Sequence, residues 1–168
     1  MKAREIVHCR GHPNISALHP TTFEITRDME LTPAGDCVIG VGANKGPLDL
    51  STGFRSLLAR EGSTIVTRLC CDDLCVEVHA EGSPGLALDH PHDLVWRRSN
   101  FTCGRTIGIR TDYTAATLPR ELIERLAAGE EMIVELFVEC PDDLEQHRIS
   151  PDIENEFNKC DPINQATL

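Results

Sequence analysis

Thr64-Ile65-Val66-Thr67-Arg68-Leu69-Cys70-Cys71 and Leu74-Cys75-Val76-Glu77-Val78-His79-Ala80-Glu81 alternate apolar and polar residues on either side of Asp72-Asp73. A period of two marks a half-buried strand, so the pair predicts a β-hairpin, closed by an Asp-Asp turn where Gly is usual. Upstream, Ser51 is placed to cap a short helix over 54–60, with Phe54, Leu57 and Leu58 on one face and Gly62 beyond its end. The apolar run 37–42 reads as a buried strand, and 21–27 and 3–10 as two more. Downstream, Gly82-Ser83-Pro84-Gly85 is a loop, followed by short strands over 86–89, 94–98 and 106–110. Pro119 opens a second helix that carries Leu122, Ile123 and Leu126 and stops at Gly129, and 132–138 is a last strand. Many strands at close spacing with two short helices predict an α+β domain, mainly an antiparallel sheet or partly open barrel. The sequence has no βαβ rhythm and no visible internal repeat.

At 168 residues, this spacing predicts one globular domain over 1–140 and an acidic, flexible C-terminal tail over 141–168. Six of the eleven net negative charges fall from Glu139 onward. An acidic body argues against broad nucleic-acid binding, which relies on Lys and Arg to neutralise phosphate. No apolar run approaches the ~20 residues of a membrane helix, and the start lacks the apolar core of a signal peptide. The expected compartment is therefore the cytoplasm, with the nucleus also open. Eight cysteines in such a chain read as free thiols acting as small buried hydrophobes rather than as a disulfide framework.

Chemistry concentrates in two segments. Around His90-Pro91-His92-Asp93 and Cys103-Gly104-Arg105-Thr106-Ile107-Gly108-Ile109-Arg110-Thr111-Asp112, arginine forks suit carboxylate or phosphate, and the glycines leave room for a ligand. The other segment carries His12 and His19, each held extended by a following proline, with Thr21, Thr22 and Glu24 on the adjoining strand. Candidate acid–base groups are His12, His19, His90 and Asp93; candidate ligand contacts are Thr22, Lys45, Arg105, Arg110 and Asp112. Lys45 sits in the Gly-rich loop Gly42-Ala43-Asn44-Lys45-Gly46, which lacks P-loop spacing. Cys103 is the best-placed thiol, because a neighbouring arginine lowers a thiolate's pKa. The cluster Cys70-Cys71, Cys75 and His79 matches no standard zinc spacing.

Gly11-His12-Pro13-Asn14, Thr22-Phe23-Glu24-Ile25-Thr26, the run 31–41, His90-Pro91-His92-Asp93-Leu94-Val95 and Ser99-Asn100-Phe101-Thr102 to Asp112 together resemble the archaeal-type domain of unknown function 371. The resemblance spans roughly residues 3–138 and departs at Tyr113-Thr114 and at the Cys70–Cys75 turn. It implies a shared fold and a shared site, and no activity. Three functions then stand open. One is an enzyme or binder with a His/Arg/Asp pocket for an anionic small molecule. The second is an interaction module in an RNA- or translation-related complex, with Arg97, Arg98, Arg105 and Arg110 as its nucleic-acid contact and the acidic tail as a docking arm. The third is a metal protein using His12, His19, His90 or His92. No cofactor or oligomeric state is implied.

Overall fold

The computed structural model describes residues 1–142, so the expected tail lies, from residue 143 on, outside the described residues. The strands are β1 (Lys2–Arg10), β2 (Thr22–Thr26), β3 (Val38–Gly40), β4 (Thr64–Cys71), β5 (Leu74–Glu81), β6 (Asp93–Arg97), β7 (Thr106–Gly108) and β8 (Glu131–Glu139). Helix α1 (Thr52–Leu58) lies between β3 and β4, and α2 (Arg120–Ala127) between β7 and β8. A one-turn 3₁₀ helix precedes each, at Pro47–Asp49 and Ala115–Thr117. The fold is α+β. One sheet, in the order β1-β8-β4-β5, is antiparallel throughout. The other, β3-β2-β6-β7, has an antiparallel centre flanked by two parallel pairings. Isolated bridges from Arg10 to Val41 and from Glu81 to Ile109 join the sheets at their edges without closing a barrel.

The alternation explains the packing. Ile65, Leu69 and Cys71 of β4 and Val76, Val78 and Ala80 of β5 turn inward, while their neighbours face solvent. From the mixed sheet, Phe23, Ile25, Leu94 and Trp96 fill the other side of the core. Phe23 and Trp96 stack with ring centroids 4.7 Å apart, and the Trp96 indole N–H donates to the Thr67 hydroxyl across the sheets at 3.0 Å. Helix α1 starts where the Ser51 hydroxyl accepts from the Phe54 N–H, and it buries Phe54, Leu57 and Leu58. Helix α2 buries Leu122, Ile123 and Leu126 and ends at Gly129, whose φ of 87° is left-handed.

Three expectations need correction. Leu86–Asp89 is a loop, because Leu88 takes φ 50° and breaks the extended backbone although Leu86 and Leu88 are buried. Strand β7 stops at Gly108, because Arg110 takes φ 49°. Cys70 and Cys75 are joined in a disulfide: the two-residue turn puts them directly opposite each other in the β4–β5 ladder. Cys9, Cys71 and Cys140 are free and buried, as expected, while Cys37 and Cys103 are free and partly exposed.

The chain is also a duplication, which the sequence did not reveal. The order β1-β2-β3-3₁₀-α1-β4 recurs as β5-β6-β7-3₁₀-α2-β8. Backbone contacts recur with it. The His8 N–H donates to the Asn44 side chain and the His79 N–H to Asp112, both at 2.9 Å. Leu48 N–H bonds the His90 carbonyl, while Ala116 N–H bonds the His19 carbonyl, so each half's His-Pro loop caps the other half's 3₁₀ turn. Left-handed residues match as well: Ala17 with Leu88, Gly42 with Arg110, Gly62 with Gly129.

Candidate functional site

The outer face of the mixed sheet is polar because β2 and β6 alternate. With Phe23, Ile25, Leu94 and Trp96 inward, Thr22, Glu24 and Thr26 of β2 lie opposite Arg97, Val95 and Asp93 of β6. The parallel pairings then bring in the segments that lead into β3 and β7. Cys37 donates to the Glu24 carboxylate at 3.4 Å, and Arg105 approaches Asp93 at 3.4 Å, while the Thr26 hydroxyl donates to Asp93 at 2.8 Å. At the other end of β6, the Arg97 Nε–H donates to the Thr106 hydroxyl at 3.0 Å. Its Nη2 lies 3.4 Å from the Cys103 sulfur, and its guanidinium sits 5.0 Å from the centre of the exposed Phe101 ring. The result is one connected patch running from Cys37 and Glu24 through Asp93 and Arg105 to Cys103, Thr106 and Arg97.

Its electrostatics are uneven. Burial, and then the neighbouring Asp93 charge, raise the Glu24 carboxyl above its ordinary range, with Cys37 and Arg105 only partly opposing them. Burial and the Glu24 charge push the Cys37 thiol up to about 12. Burial works against ionising Cys103 too, but the Arg105 backbone N–H, the Thr106 hydroxyl and Arg97 outweigh it and draw that thiol down to about 7. Partial burial disfavours charged Arg105, yet Cys103, Glu24 and Asp93 overcome this and hold it protonated. Arg105 is therefore balanced by two carboxylates. Among the described residues, Arg97 faces none.

The histidines stand at the two ends of the β2–β6 pair with their Nδ1 atoms occupied. His19 Nδ1 accepts from the backbone N–H groups of Thr21 and Thr22 at 3.3 and 3.2 Å; His90 Nδ1 accepts from those of His92 and Asp93 at 3.2 and 2.9 Å. His12 does the same for Asn14 at 3.0 Å. A neutral ring held this way carries its proton on Nε2. Its outward nitrogen is a donor, so the ring closes a turn rather than offering a lone pair to a metal or a substrate proton. His92 instead faces Asp28 at 2.9 Å.

Comparison with known proteins gives the chain a family. The profile of a domain of unknown function, DUF371, matches residues 7–139. This chain belongs to the DUF371 family. An uncharacterized protein of Methanocaldococcus jannaschii is 38% identical to it over 133 residues, which cover 79% of this chain and 98% of the relative. The DUF371 match takes in all of the outer-face patch.

Within this DUF371 fold the nominated residues separate. His90, Asp93 and Arg105 come together on the patch, with His19 and Thr22 at its far end. Lys45 is committed elsewhere, 2.7 Å from the nearly buried Glu5. Arg110 pairs with Glu81 at 2.8 Å where both are about half exposed, and Asp112 caps the His79 N–H. These two belong to a depression of about 360 Å³ at the seam between the sheets, lined also by Thr64, Val66 and His79. The His12 ring serves its own turn, accepting from the Asn14 N–H. Among the described residues no helix is long and apolar enough to cross a membrane. Sequence reasoning passed over Cys37 and Thr106 and left Arg97 outside the anion site. The signal for Arg97 was present, because the alternation over 93–97 puts it on the face of Asp93.

Proposed function

We propose that the outer face of β2, β6 and β7 binds an anionic small molecule bearing phosphate or carboxylate, and that the protein acts on it as an enzyme. The observation that carries this reading is Arg97: a guanidinium positioned by Thr106 and Phe101, with no carboxylate beside it among the described residues. Arginine in that state presents free donors in a fork that fits an oxyanion. Arg105, oriented by Asp93, supplies the second cation. Glu24 is the acid–base group, since a carboxyl that keeps its proton to higher pH is suited to donate it. His90 and His19 shape the two rims, and Thr22 adds a hydroxyl at the far end.

The test is a thermal-shift panel of phosphorylated and carboxylated metabolites on wild type, Arg97→Leu and Arg105→Leu. A ligand at about one hundred times its Kd should raise the wild-type Tm by roughly 5–10 °C. Arg97→Leu should abolish that shift and Arg105→Leu should reduce it. If wild type and both variants respond alike to every compound, no anion is bound at this face.

A further inference from the structure

We propose that Cys103 is a covalent modification site for small anionic disulfides: its sulfur attacks one sulfur of the disulfide, forms a mixed disulfide with that half, and releases the other half as a thiolate. The step is balanced. One S–S bond breaks as another forms, the incoming disulfide is the oxidant, and the Cys103 proton goes to water. The inference rests on the anion-binding reading above, because Arg97 and Arg105 are the groups that would hold the charged end of the attacking partner.

Two independent observations support it. The first is geometric. Cys103 is partly exposed, and its sulfur lies 3.4 Å from Arg97 Nη2 and 3.7 Å from the Thr106 hydroxyl, with Arg105 also against it. A thiolate there is stabilised by cations that also attract anions, and a thiol poised near neutral pH exchanges fastest. The second comes from the duplication. The matching loop of the first half has the same backbone, with Val38 N–H bonded to the Gly35 carbonyl at 3.2 Å as Thr106 N–H is bonded to that of Cys103 at 3.0 Å. Yet it carries Gly35, Thr26 and Val38 where the second half carries Cys103, Arg97 and Thr106. The fold makes this loop without the thiol, the guanidinium or the hydroxyl. None of the three is needed to hold the loop's shape, so they are available for a ligand.

Among the described residues the other free thiols provide contrast: Cys9 and Cys71 are buried and raised to about 12 and about 11, Cys140 is buried, and Cys37 is raised to about 12. The experiment treats the full chain with dithiobis-nitrobenzoate, a dianionic disulfide, and separately with neutral dithiodipyridine. Labelling is followed over time and mapped to the tryptic peptide Ser99–Arg105. Cys103 should react with the dianion in a fast phase whose rate rises with pH through a midpoint near 7. Cys103→Ser should lose that phase. Because Arg97 also helps to ionise the thiol, the probes are compared by their limiting rates at high pH, where the thiolate is fully formed. There Arg97→Leu should slow the dianion about tenfold or more while changing the neutral probe less than about threefold, which also reports an intact fold. The proposal is overturned if Ser99–Arg105 carries no fast label, or if Arg97→Leu slows the limiting rates of both probes equally. In the first case, metabolite-induced thermal shifts that persist in wild type and Cys103→Ser would leave anion binding standing without the thiol step.

Discussion

Glu24 and Glu5 show how one residue type takes opposite electrical roles in one fold. Glu24 is raised by burial and by Asp93, so its protonated form favours the folded state. That contribution is present below its ordinary value of 4.5 and is lost as pH rises through the raised folded value. Glu24→Gln, which keeps an acceptor for Cys37 without the charge, should therefore melt higher than wild type at pH 8. The two curves should converge below about pH 4.5. Equal shifts at every pH would mean that Glu24 is not held protonated by its surroundings. Glu5 runs the other way. Burial raises it, but Lys45 and the Ser51 N–H outweigh burial and lower it, so its contribution is present above 4.5 and is lost as pH falls through the lowered value.

Among the elements, the two helix starts solve one packing problem differently. In the first half Glu5 accepts from the Ser51 N–H at 2.8 Å and pairs with Lys45. The matching positions of the second half are Val76, Pro119 and Tyr113. Proline has no N–H, so nothing is left for a carboxylate to satisfy, and valine can take its place. Ser51 at φ −57° and Pro119 at φ −51° have the same backbone, so proline fits either site. Glu5→Val alone should cost about 1–3 kcal/mol by orphaning the Ser51 N–H and leaving Lys45 unpaired. Adding Ser51→Pro and Lys45→Tyr should recover most of it in urea denaturation, less about 1 kcal/mol for the lost Ser51 cap. A triple variant no more stable than Glu5→Val would show that the halves are not interchangeable at this point.

At the scale of the whole molecule the halves are interleaved rather than stacked. All three pairings of the antiparallel sheet, β1–β8, β8–β4 and β4–β5, join one half to the other, and so does β2–β6 at the centre of the mixed sheet. Neither half owns a sheet, so neither can bury its apolar faces alone. Fragments 1–72 and 73–168 should each lack a cooperative thermal transition when expressed singly, and should regain one when co-expressed. Cooperative unfolding of 1–72 by itself would mean that the half is a folding unit.

Local patterns were sufficient for the hairpin 64–81, for both helices and for most strands, because alternation and capping are properties of neighbouring residues. The register of that hairpin even implies the Cys70–Cys75 pairing, once the turn is taken as Asp72-Asp73. The failures share a cause. Leu86-Ala87-Leu88 looks extended until the path into His90-Pro91 demands φ 50° at Leu88. The duplication is hidden because, beyond the shared His-Pro turns at His19 and His90, its matching contacts are made by the backbone or by unlike residues, Asn44 with Asp112 and Gly42 with Arg110, while a longer loop before β3 shifts the spacing. The patch was half legible. Asp93 and Arg105 could be suspected from composition, but Glu24 and Cys37 join them only through strand pairings remote in sequence. Lys45, Arg110 and Asp112 leave the patch because the fold gives each a partner of its own. The sequence by itself determined the elements and which face of each is apolar, since burial follows the local period. Which polar residues share a surface, and which of them remain free to meet a ligand, was decided by the tertiary structure alone, because it is the sheet order that sets which charges are neutralised.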